Sequence, residues 1–146
     1  MLVSAVNLTG FEFGPPPLNP YEQFKHLTPV AAIDNSVFVY EGHFEIPLAA
    51  ALAHAQKAGI FLAEKKLPEA LQEAQQAIVL APDSARVNVM MGTVLDAMDR
   101  RAEARPFFET ALQQSLTVQP DFQSGLGPFL KRRLAAPDNA AQGARP

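Results

Sequence analysis

Residues Ala51 to Leu116 can be laid on themselves with a shift of thirty-four residues, and this self-similarity limits the fold more than any other feature of the chain. Ala58 falls on Gly92, Phe61 on Leu95, Glu69-Ala70 on Glu103-Ala104, Ala77 on Ala111 and Ile78 on Leu112, and the first unit closes on Pro82. Apolar residues recur at helical spacing within each unit, so each reads as a pair of helices and the two units as neighbours in a stack. Alanine or glycine at 58/92, 70/104 and 77/111 lets helices approach closely, while Phe61 and Leu95 fill the remaining space.

In its small and its large positions this pattern resembles a tetratricopeptide repeat. The resemblance implies a mainly α fold, a right-handed array of helical hairpins with two repeats and a capping helix over residues 47–135. Residues 1–46 then form an irregular N-terminal arm with one or two short β-strands, and 136–146 a disordered tail. In such a stack the first helix of each pair lines the concave side, here presenting Leu52, Ala55, Gly59, Arg86, Val89, Thr93 and Asp96 to an extended or helical peptide. The groove departs from the type that clamps a terminal carboxylate, because the Lys and Asn residues of that clamp are missing. The implied role is a non-catalytic protein-interaction scaffold with a protein or peptide partner and no cofactor or metal.

The helices can be placed from their stripes. Pro47 opens the first, with Leu48, Ala51, Leu52, Ala55, Gly59 and Leu62 on one face, and Pro68 opens the second, with Leu67, Ala70, Leu71, Ala74, Ala77 and Ile78. Asp83-Ser84 offers cap oxygens to a third, striped by Val87, Met90, Met91, Val94, Leu95 and Met98. A fourth runs through Ala104, Phe107, Phe108, Ala111, Leu112 and Leu116, and Pro106 inside it predicts a kink or a later start. Leu126, Phe129, Leu130 and Leu134 surround Lys131-Arg132-Arg133 as a capping helix with its basic face to water. The methionines at helical spacing read as core, with an adaptable binding surface as the alternative.

The first third is different. Leu2 to Leu8 reads as a short strand, Gly14-Pro15-Pro16-Pro17 as an extended connector, Pro20 to Lys25 as one helical turn and Val37 to Tyr40 as a second strand. Two short strands do not make a stable sheet. Two repeats also fall short of the three that such an array usually needs. The arm, with Tyr21, Phe24, Leu27, Val30, Ile33, Phe38, Tyr40 and Phe44, is therefore expected to cover the open flank, and a homodimer burying the same surface is the competing solution.

Ser4-Ala5-Val6-Asn7-Leu8-Thr9-Gly10, then Tyr21, Phe24, Leu27-Thr28-Pro29-Val30-Ala31 and Ile33, then Ser36-Val37-Phe38-Val39-Tyr40, are similar to the closing strands of the extracytoplasmic domain of bacterial lipid-carrier-dependent membrane glycosyltransferases, relatives of the protein mannosyltransferases. That resemblance implies a C-terminal, extracytoplasmic piece of a longer membrane protein, whose catalytic acidic residues would lie in the membrane part. A stand-alone adaptor, on either side of the membrane, or a fragment that contributes acceptor-substrate contacts to such a parent are the alternatives.

Composition removes several chemistries. Of 146 residues 48% are hydrophobic, enough for a real core, and the absence of cysteine excludes disulfides, thiolate catalysis and thiolate metal sites. The net charge of -3 is unevenly spread: residues 1–46 hold one basic and five acidic side chains, and the rest is nearly balanced. Neither part has the basic footprint of a nucleic-acid binder, and no apolar run reaches the roughly 20 residues of a membrane span. Glu41, His43 and Glu45, if extended, share one face and could hold a metal; a solvated strand end is the competing reading. His26 and His54 have no partner at ligand spacing, and no serine has an elbow-like glycine frame.

The small positions supply a direct test. Ala77→Leu or Ala111→Leu is expected to lower stability by roughly 1 to 3 kcal/mol through overpacking. A melting curve unchanged by either substitution would remove these residues from the helix contacts.

Overall fold

The computed structural model describes residues 1–10, 18–118 and 126–136. The Gly14–Pro17 connector and all of the expected disordered tail except Ala136 lie outside the described residues. Within them the protein is mainly helical, with six α-helices and one three-stranded sheet, and no helix is long and apolar enough to cross a membrane. The chain divides into two compact units, Met1–Ala49 and Ala50–Pro146.

The first unit is more regular than its sequence suggests. β1 (Leu2–Ser4) and β2 (Ala31–Ile33) flank β3 (Val37–Val39) in an antiparallel sheet of order β1-β3-β2. The missed strand is β2, and it turns the two expected strands into a three-stranded sheet. Asp34 and Asn35 both take left-handed conformations, φ 49° and 52°, and the Ser36 N–H donates to Ile33 O at 3.0 Å. Asp34, Asn35 and Ser36 connect the strands, and the left-handed pair reverses the chain so that Ile33 comes opposite Val37.

The expected strand from Leu2 to Leu8 stops at Ser4. The Ser4 Oγ accepts the Asn7 N–H at 3.1 Å and so starts α1 (Ala5–Thr9), which Gly10 closes at φ 75°. Local side-chain capping has overridden weak alternation. The helical turn expected from Pro20 is a 3-10 turn over Glu22–His26, entered where the Asn19 side-chain carbonyl accepts the Tyr21 N–H.

Strand alternation sends Val3 and Phe38 to one face. There they pack with Phe24 and Tyr40, supported by Leu8, Tyr21, Phe44 and Ile46. The Phe24 ring lies 4.9 Å from the rings of both Tyr40 and Phe44, and the Tyr40 hydroxyl donates to Phe24 O at 3.2 Å. The description of this segment as an irregular arm is thus corrected. Tyr21, Phe24, Phe38, Tyr40 and Phe44, expected to cover the helical array, form this unit's own core, while Leu27, Val30 and Ile33 are exposed.

The second unit is helical throughout its described residues beyond the turns: α2 (Pro47–Ala63, whose first turn belongs to the first unit), α3 (Leu67–Leu80), α4 (Ala85–Ala97), α5 (Arg101–Val118) and α6 (Leu126–Ala135). The repetition in sequence is also a repetition of hydrogen bonds. After α2, Lys65 is left-handed at φ 60° and the Lys66 N–H reaches back to Phe61 O at 2.9 Å; after α4, Asp99 is left-handed at φ 60° and the Arg100 N–H reaches Leu95 O at 2.9 Å. Both are the same C-terminal helix closure at the same thirty-four-residue offset.

The expected Ser84 cap and the later start offered for α5 are corrected. The Ser84 side chain makes no cap hydrogen bond to α4; instead the buried Asn88 donates Nδ2 hydrogens to Pro82 O at 2.6 Å and Ser84 O at 3.0 Å, tying the linking turn to the helix. α5 does not start late: it is continuous from Arg101, and Pro106 lies inside it, where it removes the one backbone bond it would have donated to Ala102.

α4 packs against α3 and α5, and α6 against α5. The contact positions Ala58, Ala70, Ala74, Ala77, Ala104 and Ala111 are all fully buried. Gly92 shows why they are small, since a β-carbon there would lie 2.6 Å from Phe108 Cε1. The corresponding positions of the first hairpin hold Ala58 and Ala74, so the second has gained a phenyl ring on one helix and lost a methyl group on the other.

Gly92→Ala is therefore expected to destabilise by about 1 kcal/mol or more: overpacking against the enclosed Phe108 ring outweighs the roughly 1 kcal/mol that helix propensity returns. Gly59→Ala meets only the flexible end of Met90, at 3.2 Å, and is expected to leave stability unchanged or raise it by up to about 1 kcal/mol. Chemical denaturation of both variants checks the contrast, which equal losses would contradict.

Candidate functional site

The residues expected to line a groove come from α2 and α4, and the structure gives them unequal roles. On α4, Arg86, Val89, Thr93 and Asp96 follow at helical spacing and so form one stripe. Arg86 is exposed. Val89 is half-buried against the main core, and the Thr93 hydroxyl donates to Val89 O at 2.7 Å, which satisfies the hydroxyl within its own helix.

Asp96 lies at the other end of the stripe and has little freedom. Its side chain is only 12% exposed, Arg101 Nε lies 3.6 Å from one carboxylate oxygen, and Arg133 of α6 donates to the other. The carboxylate is thus a junction between α4, α5 and α6. Arg133, in the basic run of α6 expected to face water, keeps 40% of its side-chain surface exposed while its guanidinium pairs with Asp96. Lys131 and Arg132 are exposed, and Arg133 also sits over the Phe129 ring at 5.4 Å.

On α2, Ala55 is buried and Leu52 half-buried in a cluster with Ala51, Ala77 and Val87. Ala55 therefore spaces helices and offers no surface to a ligand. Gly59 is half-buried and opens onto the terminal methyl group of Met90. The surface left for a partner is Arg86, Val89 and Thr93 with the half-buried Met90, whose unbranched side chain can adapt to what it touches.

Asn88 was not singled out from the sequence, and His54, which has no partner at ligand spacing there, has a carboxylate partner in the fold. His54 and Asn88 occupy the same place in the two units. His54 Nδ1 lies 2.6 Å from Glu73 Oε2 and ties α2 to α3, while Asn88 holds the turn before α4. The offset that pairs Ala58 with Gly92 also pairs these two, and that offset was the signal that could have found them.

The possible metal trio is not assembled. β3 ends at Val39, and Gly42 at φ 134° interrupts the extended run, so Glu41, His43 and Glu45 do not alternate on one strand face. All three are exposed, and among the described residues no group of three or more His, Asp or Glu side chains is placed to hold an ion.

At the start of α5, Arg100 Nε and Nη2 each lie 2.7 Å from a different oxygen of Glu103. This paired fork holds the Glu103 carboxyl below the usual carboxylate range and raises the guanidinium. Both groups are at the surface, so the fork orders the helix start and adds little stability. Comparison with protein-family models, curated proteins and solved structures finds no match to this chain.

Asp96→Ala removes the shared counter-ion of two arginines. It is expected to lower the melting temperature by an amount worth about 1 kcal/mol, with the loss shrinking in ~1 M salt as charges are screened. A loss that is the same at low and high salt would show that packing alone is responsible.

Proposed function

We propose that this chain is a non-catalytic interaction module, a tetratricopeptide-like scaffold that docks a protein or peptide partner. The observation that carries the reading is the matched closure of the two hairpins, Lys66 to Phe61 and Arg100 to Leu95, with small residues at the corresponding contact positions. A hairpin array that repeats its turn also repeats the direction of its first helices, and an ordered surface of that kind suits recognition of an extended or helical segment. The α4 stripe of Arg86, Val89 and Thr93, with Met90 beside it, supplies a cation, an apolar strip and an adaptable side chain. An acidic, partly apolar segment fits that chemistry.

A second reading concerns the first unit. The outer sheet face carries Leu2, Val37, Val39 and Ile33, with Leu2 63% and Ile33 53% exposed. An apolar face of this kind would pack against another layer of a larger domain, which is the support it lends to the resemblance to the closing strands of an extracytoplasmic glycosyltransferase domain. On that reading the module works on the extracytoplasmic side as part of a longer membrane protein, and its helical unit organises partners there.

Chemical cross-linking with mass spectrometry in the native host tests the docking reading. Wild-type chain is expected to form reproducible cross-links to one partner, lost by about tenfold or more when Arg86→Glu and Val89→Asp are combined. Cross-links undiminished by that double substitution, in a variant with an unaltered circular dichroism spectrum, would place recognition elsewhere.

A further inference from the structure

Helix α6 stands outside the duplicated scheme. It packs on α5, at the flank where a third hairpin would stack, and it buries Leu130 completely beside Phe108 and Ala111. Phe129 meets Phe108 edge to face with ring centres 6.3 Å apart, and Arg133 reaches Asp96. At ten residues, with Gly127 and Pro128 in its first turn, α6 is too short to be stable alone. Its helical order therefore comes from the face it covers, as it does for a bound peptide that folds on its receptor.

That face has a selective feature that a passive apolar cap would not require. Asp96 lies at its rim: Arg101 of α5 is 3.6 Å from one carboxylate oxygen, and the other oxygen is left to pair with a cation from whatever occupies the site. α6 meets the requirement with an aromatic residue, a leucine and an arginine one turn later, Phe129-Leu130 and Arg133.

We propose that α6 is an exchangeable occupant of this α4–α5 face, and that the face receives a basic amphipathic helix of the same pattern from a protein partner. The proposal rests on the reading of the helical unit as an interaction module and names a second docking surface on it. Held by its own chain, α6 competes at a millimolar effective concentration, so a partner engages only when it binds more tightly or when α6 is loosened. Arg133 thus acts as the chain's own stand-in for the partner's cation.

The probe is a fluorescent synthetic peptide of residues 125–136, titrated into the full-length chain and followed by anisotropy. Full-length Leu130→Ala is expected to bind it about tenfold or more tightly than wild type does, because the tethered competitor is weakened. The same peptide carrying Arg133→Glu is expected to lose that binding. A folded Leu130→Ala chain that ignores the peptide, or binds both peptides alike, overturns the proposal.

Native-state hydrogen exchange of the wild-type chain gives a result that does not depend on any variant folding. The α6 amides are expected to exchange about tenfold or more faster than those in the interior of α4 and α5, through an opening confined to α6. Exchange of all three helices in one step would make α6 a permanent cap and overturn the proposal. Either failure leaves the Arg86, Val89 and Thr93 surface untouched, because that docking reading is tested by its own substitutions.

Discussion

The approach of Phe108 to the backbone of Gly92 sets the spacing on which the helical unit depends. No side chain fits between them, and a β-carbon would sit inside the ring's van der Waals envelope. A helical glycine costs roughly 1 kcal/mol relative to alanine, so its presence is balanced by the burial of a whole phenyl ring. In the first hairpin the same two positions hold alanines, and both are fully buried. The two hairpins therefore reach close helix contacts with different divisions of volume between their helices, as a core packed to crystalline density requires.

The turns carry the second half of the constraint. Lys65 and Asp99 are left-handed, a conformation that costs most residues about 1 to 2 kcal/mol, yet both closures return the next N–H to a carbonyl inside the preceding helix. The hydrogen bond and the following helix offset the strain. Position 66/100 is basic in both units and 69/103 acidic in both, placing a cation and an anion where the second helix of each pair begins. Arg100 and Glu103 meet directly, whereas Lys66 pairs with Glu64. The backbone closure is thus shared where the side-chain pairing is not.

The repeat could be read from the chain because its contact residues are small, and small residues recurring at a fixed period mark places where helix backbones come close. Ala70, Ala77, Ala104 and Ala111 were placed at helix contacts on that ground, and each is fully buried. The pairing of Gly92 with Phe108 could not be read in the same way, since it depends on which ring enters which gap. β2 escaped notice because Ala31-Ala32-Ile33 has little strand character by itself; its partner β3 and the left-handed Asp34-Asn35 turn create it. At the candidate site, helical spacing put Arg86, Val89, Thr93 and Asp96 on one stripe. Of the two arginines that engage Asp96, Arg133 lies thirty-seven positions further on, a distance in sequence that no periodicity reveals.

The central claim is that the two hairpins are one design with volume exchanged between facing positions. A double-mutant cycle that moves the second hairpin's pair into the first tests it directly. Ala74→Phe and Ala58→Gly should each destabilise the chain alone, and together recover about 1 kcal/mol or more of the summed loss, because the glycine makes room for the ring. Losses that simply add in the double variant would show that positions 58 and 74 do not face one another as 92 and 108 do, and the equivalence of the hairpins would fall.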